Sequence, residues 1–206
     1  MSESDKTTEE SILDAAEQAF LEKGYAATTT TEIAKIAKVN HAMLHYYFRT
    51  KENIFNKIFE AKARILTDSF IGVFEQKLSL EEKIIRSVGQ HFDFLVKHPK
   101  LPMFIMQEIL SNEEQKEKVK KMLLPKLMIL FRNVQKIIDE ESEKGNIRST
   151  SAVTVVLNAV SLNVFSIVFA QTATNKNGDF IYGDKNDFLQ QRRENNIQVI
   201  LKSLEL

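Results

Sequence analysis

Two histidines and two tyrosines lie close together near the amino terminus, at His41, His45, Tyr46 and Tyr47. All four side chains can donate hydrogen bonds, and a packed interior rarely accommodates so many polar groups on one short element. The phosphates and base edges of duplex DNA offer partners for such groups. The cluster therefore predicts a nucleic-acid contact, although the two tyrosines, taken alone, fit half-buried packing positions better.

The spacing of His41 and His45 is also compatible with a metal site, because histidines four residues apart on a helix can bind zinc. No glutamate follows His41, and no third ligand is evident nearby. The chain has no cysteine, so it offers neither a thiolate metal site nor a disulfide. It also shows no paired carboxylates, nucleophile turn or phosphate-binding loop. We expect no metal, no cofactor and no catalytic residues, and therefore no enzyme.

Two short helices joined by a tight turn would position this cluster. Thr29 and Glu32 have the spacing of a capping box that starts a helix, and Asn40 can cap the helix that carries the histidines. Leu44 and Phe48 are four residues apart, so they share one face of this second helix and should point inward. The polar residues should then lie on the outward face.

The order and spacing of these residues resemble the DNA-binding head of the TetR (tetracycline-repressor) family of bacterial transcription regulators. The resemblance covers about the first 60 residues. Beyond them only the helical layout is similar, including a corner at residues 145–148. The motifs that carry the resemblance are, in chain order, Gly24-Tyr25, Thr28-Thr29, Ile33-Ala34, Lys38-Val39-Asn40, Leu44-His45-Tyr46-Tyr47-Phe48 and Thr50-Lys51-Glu52.

The resemblance implies that the second helix enters the major groove of DNA and reads bases there. Base-edge contacts are expected from Asn40, His41, Ala42, Met43 and Tyr46. Phosphate contacts are expected from His45, Tyr47 and Lys51 on one flank, and from Thr28, Thr29 and Thr30 on the other. The local charge agrees: residues 35–57 carry five basic residues and one acid, on a chain whose formal net charge is zero.

Lys38 departs from the family pattern, because the family usually has a glycine at this turn position. If the turn requires a positive φ, a residue other than glycine costs about 1 kcal/mol there. Ala42, Met43 and His45 also differ from the residues that the family often carries. These differences bear on which DNA sequence is read rather than on the presence of the head.

The rest of the chain is expected to be helical. Only six glycines and three prolines interrupt it, no strand pattern of period two persists, and capping boxes are indicated at Thr7 with Glu10 and at Ser79 with Glu82. We therefore predict an all-α fold of about nine helices. A three-helix helix-turn-helix domain would occupy residues 1–52, and a larger helical bundle for ligand binding and dimerisation would occupy residues 53–206.

Residues 149–175 contain no charged side chain. The segment is long enough to span a bilayer, but several polar residues interrupt it, so we expect no membrane span. A charge-free helix needs cover on nearly every side, most simply from a second copy of the chain. The alternative is a monomer with a deep core. The dimer interface is predicted at Val156, Val160, Val164, Ile197, Ile200 and Leu204.

The resemblance also implies a pocket for a small molecule in the carboxy-terminal bundle. Aromatic, Met and few polar side chains would line it, which suits an apolar or amphipathic ligand. The alternative is that these stripes are plain core. The candidate ligand-binding residues are Phe92, Leu95, Met103, Phe104, Gln107, Met128, Phe131, Asn158, Ser161, Leu162 and Phe165.

The first residues, MSESDKTTEES, are polar and acidic, unlike a secretory signal, so a cytoplasmic protein is expected. The favoured hypothesis is a dimeric DNA-binding transcriptional regulator, most often a repressor in this family. It would bind a palindromic double-stranded operator and be released by the ligand. The competing hypothesis is a helical small-molecule or lipid-binding module that does not act through DNA.

Overall fold

The computed structural model describes residues 7–111, 113–175 and 179–205. Within these ranges it contains nine α-helices and one isolated β-bridge, between Thr174 and Phe180. The all-α prediction is therefore confirmed. The helices are α1 (Thr8–Ala27), α2 (Thr30–Ile36), α3 (His41–Phe48), α4 (Lys51–Glu75), α5 (Leu80–Lys97), α6 (Leu101–Ser111), α7 (Glu113–Glu143), α8 (Ala152–Thr172) and α9 (Lys185–Lys202).

Packing divides the described residues into two compact units. The first unit comprises residues within 1–64 together with 103–119, and the second comprises 65–102 together with 120–206. The functional boundary predicted at residue 52 stays a prediction; the division by packing falls at residue 64, inside α4. The reason is aromatic packing: the Phe55 ring of α4 lies 5.8 Å from that of Phe20 in α1 and 5.8 Å from that of Phe104 in α6.

Short-range capping fixes the helices of the first unit as the sequence indicates. Thr7 and Glu10 form the complete capping box at α1. Regular helix geometry breaks at Gly24, whose φ of 80° is readily adopted by glycine. At α2, the Thr29 hydroxyl accepts from the Glu32 amide, but the Glu32 carboxylate pairs with Lys23 instead of completing the box. The Ser79–Glu82 box at the start of α5, in the second unit, is complete.

The core of the second unit lies between α5, α7, α8 and α9. Apolar side chains from all four helices are buried there, because each helix turns one apolar stripe toward the others. Its fully buried members include Ile138 of α7 and Ile200 of α9, each 1% exposed. The buried cluster comprises Ile84, Val88, Leu130, Val134, Ile138, Ala152, Val155, Ile197, Ile200 and Leu204.

A buried chain of polar side chains crosses this core. The Asn163 amide of α8 donates to the Val88 carbonyl and to His91 Nδ1 of α5, both at 3.0 Å. The Asn163 carbonyl accepts from the Asn196 amide of α9 at 2.9 Å, and the Asn196 carbonyl accepts from Arg192 at 2.7 Å. Because a buried polar group is costly unless it is hydrogen-bonded, this chain fixes how α5, α8 and α9 align.

A charged contact joins α5 and α9 nearer the surface. The Arg193 guanidinium donates two hydrogen bonds to the Asp93 carboxylate, at 2.8 and 3.0 Å. Gly89 makes room for it, since a Cβ at that position would lie 2.5 Å from an Arg193 nitrogen. A larger residue at 89 would therefore displace the guanidinium from this site.

Burial sets the protonation state of His91. Its side chain is only 4% exposed, and this burial lowers its pKa from 6.5 to about 4. The neutral ring accepts the hydrogen bond from Asn163 at Nδ1, so its remaining proton is on Nε2. The folded protein therefore binds this proton only at a lower pH than the unfolded chain does.

We predict that this difference makes folding stability fall on acidification. Between about pH 6.5 and pH 4 the unfolded chain is protonated at His91 while the folded protein is not, so protons favour unfolding. The loss through this one group is roughly 3 kcal/mol. Urea unfolding across this pH range should show a shallower decline for His91→Gln than for the wild type.

Val96→Gln provides the matched control, because it introduces the same side chain at a 40% exposed position of the same helix and removes no titratable group. This variant should retain the wild-type dependence of unfolding free energy on pH. Equal pH profiles for the wild type and His91→Gln would contradict the assignment.

Candidate nucleic-acid interface

The outward face of α3 carries the polar cluster that the sequence indicated. Tyr46 is 82% exposed, Tyr47 is 42% exposed and Met43 is 37% exposed. The opposite face buries Leu44 and Phe48, which are 1% and 5% exposed. The other predicted contact residues on this face are also exposed, namely Asn40, His41, Ala42 and His45. Seven candidate DNA contacts therefore share one accessible surface.

Local hydrogen bonds hold the start of α3 in place. The Asn40 side-chain oxygen accepts from the Met43 amide at 2.7 Å, so it caps the helix as predicted and leaves the Asn40 NH₂ group for other partners. His41 Nε2 lies 3.1 Å from the Thr30 hydroxyl. This contact places the beginnings of α2 and α3 side by side, so Thr30 and His41 belong to one surface.

Thr28 does not belong to that surface. Its side chain is 1% exposed, and its hydroxyl donates to the carbonyls of Gly24 at 2.9 Å and Ala19 at 3.2 Å. The prediction that Thr28 contacts a phosphate through its side chain is therefore wrong. The neighbouring Thr29 is exposed, although its hydroxyl caps α2 by accepting from the Glu32 amide at 3.1 Å.

Lys51 also has a different role from the predicted one. Its ammonium donates to the carbonyls of Tyr25 and Thr28, both at 2.8 Å, and lies 4.3 Å from the centre of the Tyr25 ring. These carbonyls belong to the end of α1 and the turn after it, where a cation is favoured. Lys51 therefore fastens α4 to the α1–α2 connection, and its charge is already engaged inside the unit.

The second unit contains a small cavity between its helices, with a volume of about 40 Å³. Its walls are apolar except for His91 and Ser87, and the Ser87 hydroxyl donates to the Lys83 carbonyl at 2.6 Å. No charged side chain lines it. The lining residues are Phe74, Leu80, Ile84, Ser87, Val88, His91, Leu130, Val134, Ile138, Val155, Val156, Ala159, Val160, Ile200 and Leu204.

None of the eleven predicted ligand-binding residues lines this cavity, and their role in binding a ligand stays a prediction. Phe92 and Leu95 are buried on other parts of α5, and Phe131 and Leu162 pack around the core. Three predicted residues, Met103, Phe104 and Gln107, belong to the first unit. The remaining four, Met128, Asn158, Ser161 and Phe165, are exposed. Helical periodicity identified apolar stripes but not which stripe borders the cavity.

The predicted dimer residues are likewise placed differently. Ile197, Ile200 and Leu204 are 5%, 1% and 3% exposed, so the core of their own chain covers them. Val156 and Val160 line the cavity, and Val164 is half-buried. Three of the six residues are therefore covered within their own chain, and the other three are half-buried. The exposed apolar side chains on these two helices are instead Val153, Leu157 and Phe165 of α8 and Val199 of α9, at 46%, 53%, 70% and 50% exposure.

The helix α8 is apolar but is not enclosed by its own chain. Its mean hydropathy is 2.1 and 33% of its most apolar window is buried, so by length and composition it could cross a membrane. We expected burial on almost every side. Of the polar residues along it, Asn163 and Ser166 are buried and hydrogen-bonded, whereas Asn158 and Ser161 are exposed.

Comparison with known proteins supports the interpretation of the first unit. Residues 12–58 match the family described as bacterial regulatory proteins, tetR family. The fatty acid metabolism regulator protein of Bacillus subtilis is 28% identical over 138 residues, which are 66% of this chain and 69% of that protein. The regulator QacR of Staphylococcus aureus is 47% identical over 47 residues, which are 23% of this chain and 25% of that protein.

Solved structures share the fold along nearly the whole chain. A putative fatty acid metabolism regulator of Clostridium perfringens superposes with a TM-score of 0.72 at 19% identity, covering 95% of this chain and 99% of that one. The transcriptional regulator FadR of Bacillus subtilis, in complex with stearoyl-CoA, gives a TM-score of 0.69 at 20% identity, covering 94% and 97%. The match at residues 12–58 and these relatives together support assignment of the chain to the TetR family of bacterial transcription regulators.

Proposed function

We propose that this regulator is a cytoplasmic dimeric repressor. It binds a palindromic operator through α3 and leaves the operator when an apolar or amphipathic ligand enters the second unit. The observation that carries the proposal is the outward face of α3, where Asn40, His41, Met43 and Tyr46 are accessible while Leu44 and Phe48 are buried. The alternative is a carrier that does not act through DNA, and such a protein would not need these accessible side chains on α3.

The base contacts are proposed from residue chemistry. The Asn40 NH₂ group and His41 can donate to base edges, and Met43 and Ala42 can contact the methyl group of thymine. His45, Tyr47, Thr29 and Thr30 are the proposed phosphate contacts that fix the position of the helix. Thr28 and Lys51 are omitted because their side chains are engaged within the first unit.

The dimer is proposed to form through the exposed apolar side of α8 and the adjoining part of α9. Val153, Leu157 and Phe165 follow one another along α8, and Val199 provides an exposed apolar side chain on α9. Large exposed apolar side chains on one helix favour contact with a partner. A twofold contact would also present two α3 helices to two half-sites about one DNA turn, or 34–36 Å, apart.

A long acyl chain is the proposed ligand. One relative is named as a regulator of fatty acid metabolism, and one structural neighbour is a complex with stearoyl-CoA. The uncharged, apolar lining of the cavity suits the chain rather than a charged head group. A cavity of about 40 Å³ is far smaller than common ligand pockets of about 300–1,000 Å³, so binding would have to displace core side chains.

Selection from random duplex DNA tests the DNA-binding proposal. The selected sequences should share a palindromic consensus. Tyr46→Ala should weaken binding to that consensus by about 1–3 kcal/mol, because it removes a base-facing side chain. The control is Tyr182→Ala, which removes a tyrosine of similar exposure (64%) in the second unit and should bind normally. No enrichment of any duplex at low salt would refute the proposal.

The association state tests the proposed dimer surface. Leu157→Glu puts a charge in the middle of the exposed α8 patch, so the protein should sediment as a monomer. Val96→Glu is the matched control, because Val96 is a 40% exposed apolar residue on α5, outside the patch. A Leu157→Glu protein that stays dimeric at micromolar concentration would argue against this surface.

Ligand response is tested with stearoyl-CoA added to the protein–operator complex. The apparent Kd for the operator should rise by about 5- to 150-fold, the usual range of coupling between sites. Coenzyme A without the acyl chain should have no effect. Ala159→Phe, which fills the cavity, should bind the operator but lose the response. If acyl-CoA thioesters of every chain length left the Kd for the operator unchanged, the proposed ligand would be refuted. The proposed DNA binding would not be affected by that result.

A further inference from the structure

Two residues with unusual backbone geometry flank the recognition helix. Among the described residues, Lys38 and Arg49 are the two non-glycine positions with positive φ, at 56° and 60°. Lys38 lies three residues before the start of α3 at His41, and Arg49 directly follows its end at Phe48. Both side chains are cationic and exposed. A cationic residue with a strained backbone conformation therefore lies near each end of this helix.

The geometry at Lys38 is that of a helix end which favours glycine. Its amide donates to the Lys35 carbonyl at 3.2 Å, and the following Val39 amide donates to the Ala34 carbonyl at 3.0 Å. This pair of bonds is the Schellman motif, in which the residue with positive φ is usually glycine. The turn is formed correctly with lysine, but the Cβ of Lys38 makes it less stable than it would be with glycine.

The geometry at Arg49 is a tight γ-turn. The Thr50 amide donates to the Phe48 carbonyl at 2.6 Å, across a central residue with φ 60° and ψ −48°. A γ-turn of this hand is rare and strained for a residue with a side chain. A glycine would relieve the strain here too. At both ends of α3, therefore, a cation occupies a position where glycine would stabilise the fold.

These two cations have no ion-pair partner among the described residues, whereas Lys51, two residues after Arg49, is held by two backbone carbonyls. Their charge is thus available to another molecule. An eight-residue helix is about 12 Å long, and the major groove is about 12 Å wide. A helix of this length in the groove brings its two ends close to the two phosphate strands.

We propose that Lys38 and Arg49 are phosphate contacts that bracket α3, one for each strand, and that their charge is retained at a cost in folding stability. The proposal rests on the proposed binding of duplex DNA through α3. Arg49 takes the role that the sequence had suggested for Lys51. Because phosphates carry no sequence information, the two residues strengthen binding to all duplexes alike and do not select the operator.

Glycine replacements separate the two parts of the proposal. Lys38→Gly and Arg49→Gly should each raise the Tm by about 2–4 °C, because they remove the strain. Each should also make the negative slope of log K against log salt less steep, by about one for each first unit bound to DNA. At 0.1 M salt this corresponds to a loss of about eightfold in affinity for each bound head.

Charge-retaining and remote replacements provide the controls. Lys38→Arg and Arg49→Lys should keep the wild-type salt slope. Lys100→Gln removes an exposed cation of the second unit and should change neither slope nor affinity. Lys51→Met is expected to lower stability, because it leaves the Tyr25 and Thr28 carbonyls without this donor.

Two results would overturn the proposal. An unchanged salt slope in both glycine variants, whatever their affinity, would show that neither cation contacts a phosphate. An unchanged or lower Tm would show that the charges are not kept at the expense of stability. Failure of the wild type to bind any duplex would instead refute the proposed function itself, so the two failures are distinguishable.

Discussion

Burial of Leu44 and Phe48 is the contact on which the rest of the first unit depends. These two side chains fix the rotation of α3 about its own axis, because turning the helix would expose them and bury polar groups. With the rotation fixed, Asn40, Met43 and Tyr46 must face outward. The exposed face of α3 is thus a consequence of two buried residues on its other side, and the capping by Asn40 sets where that face begins.

The connections around α3 position its outward face as much as the buried residues of the helix do. Lys51 fastens α4 to the carbonyls at the end of α1, and the Thr30–His41 contact joins α2 to α3. The two residues that adopt positive φ, Lys38 and Arg49, allow the chain to turn sharply on both sides of an eight-residue helix. Both turn residues are exposed, so the two ends of α3 are accessible to solvent.

Local interactions were predictable from the sequence, because their partners lie within a few residues. The capping boxes of α1 and α5, the cap of α3 by Asn40 and the inward positions Leu44 and Phe48 were all found as expected. Interactions over longer distances were not predictable. Nothing in the spacing of residues reveals that the Lys51 ammonium meets a carbonyl 26 residues earlier.

The sequence also did not reveal which apolar residues of the second unit are covered by their own chain. The apolar stripes of α8 and α9 were visible, but Ile200 and Leu204 turned out to fill the core of their own chain, which leaves Leu157 and Phe165 for a partner. Periodicity defines a stripe, whereas the packing of three other helices decides which stripe is covered. The buried Asn163 is one of the polar residues that interrupt the apolar segment, and it hydrogen-bonds α8 to both α5 and α9.

Photocrosslinking to operator DNA that carries 5-bromouracil in place of thymine identifies the residues that touch bases, so it is the direct test of base contact by α3. We expect the crosslinked peptide to contain the outward face of α3, with the adduct on Tyr46 or on a residue from His41 to His45. Crosslinks confined to the second unit, or to parts of the first unit outside α3, would contradict base contact by α3.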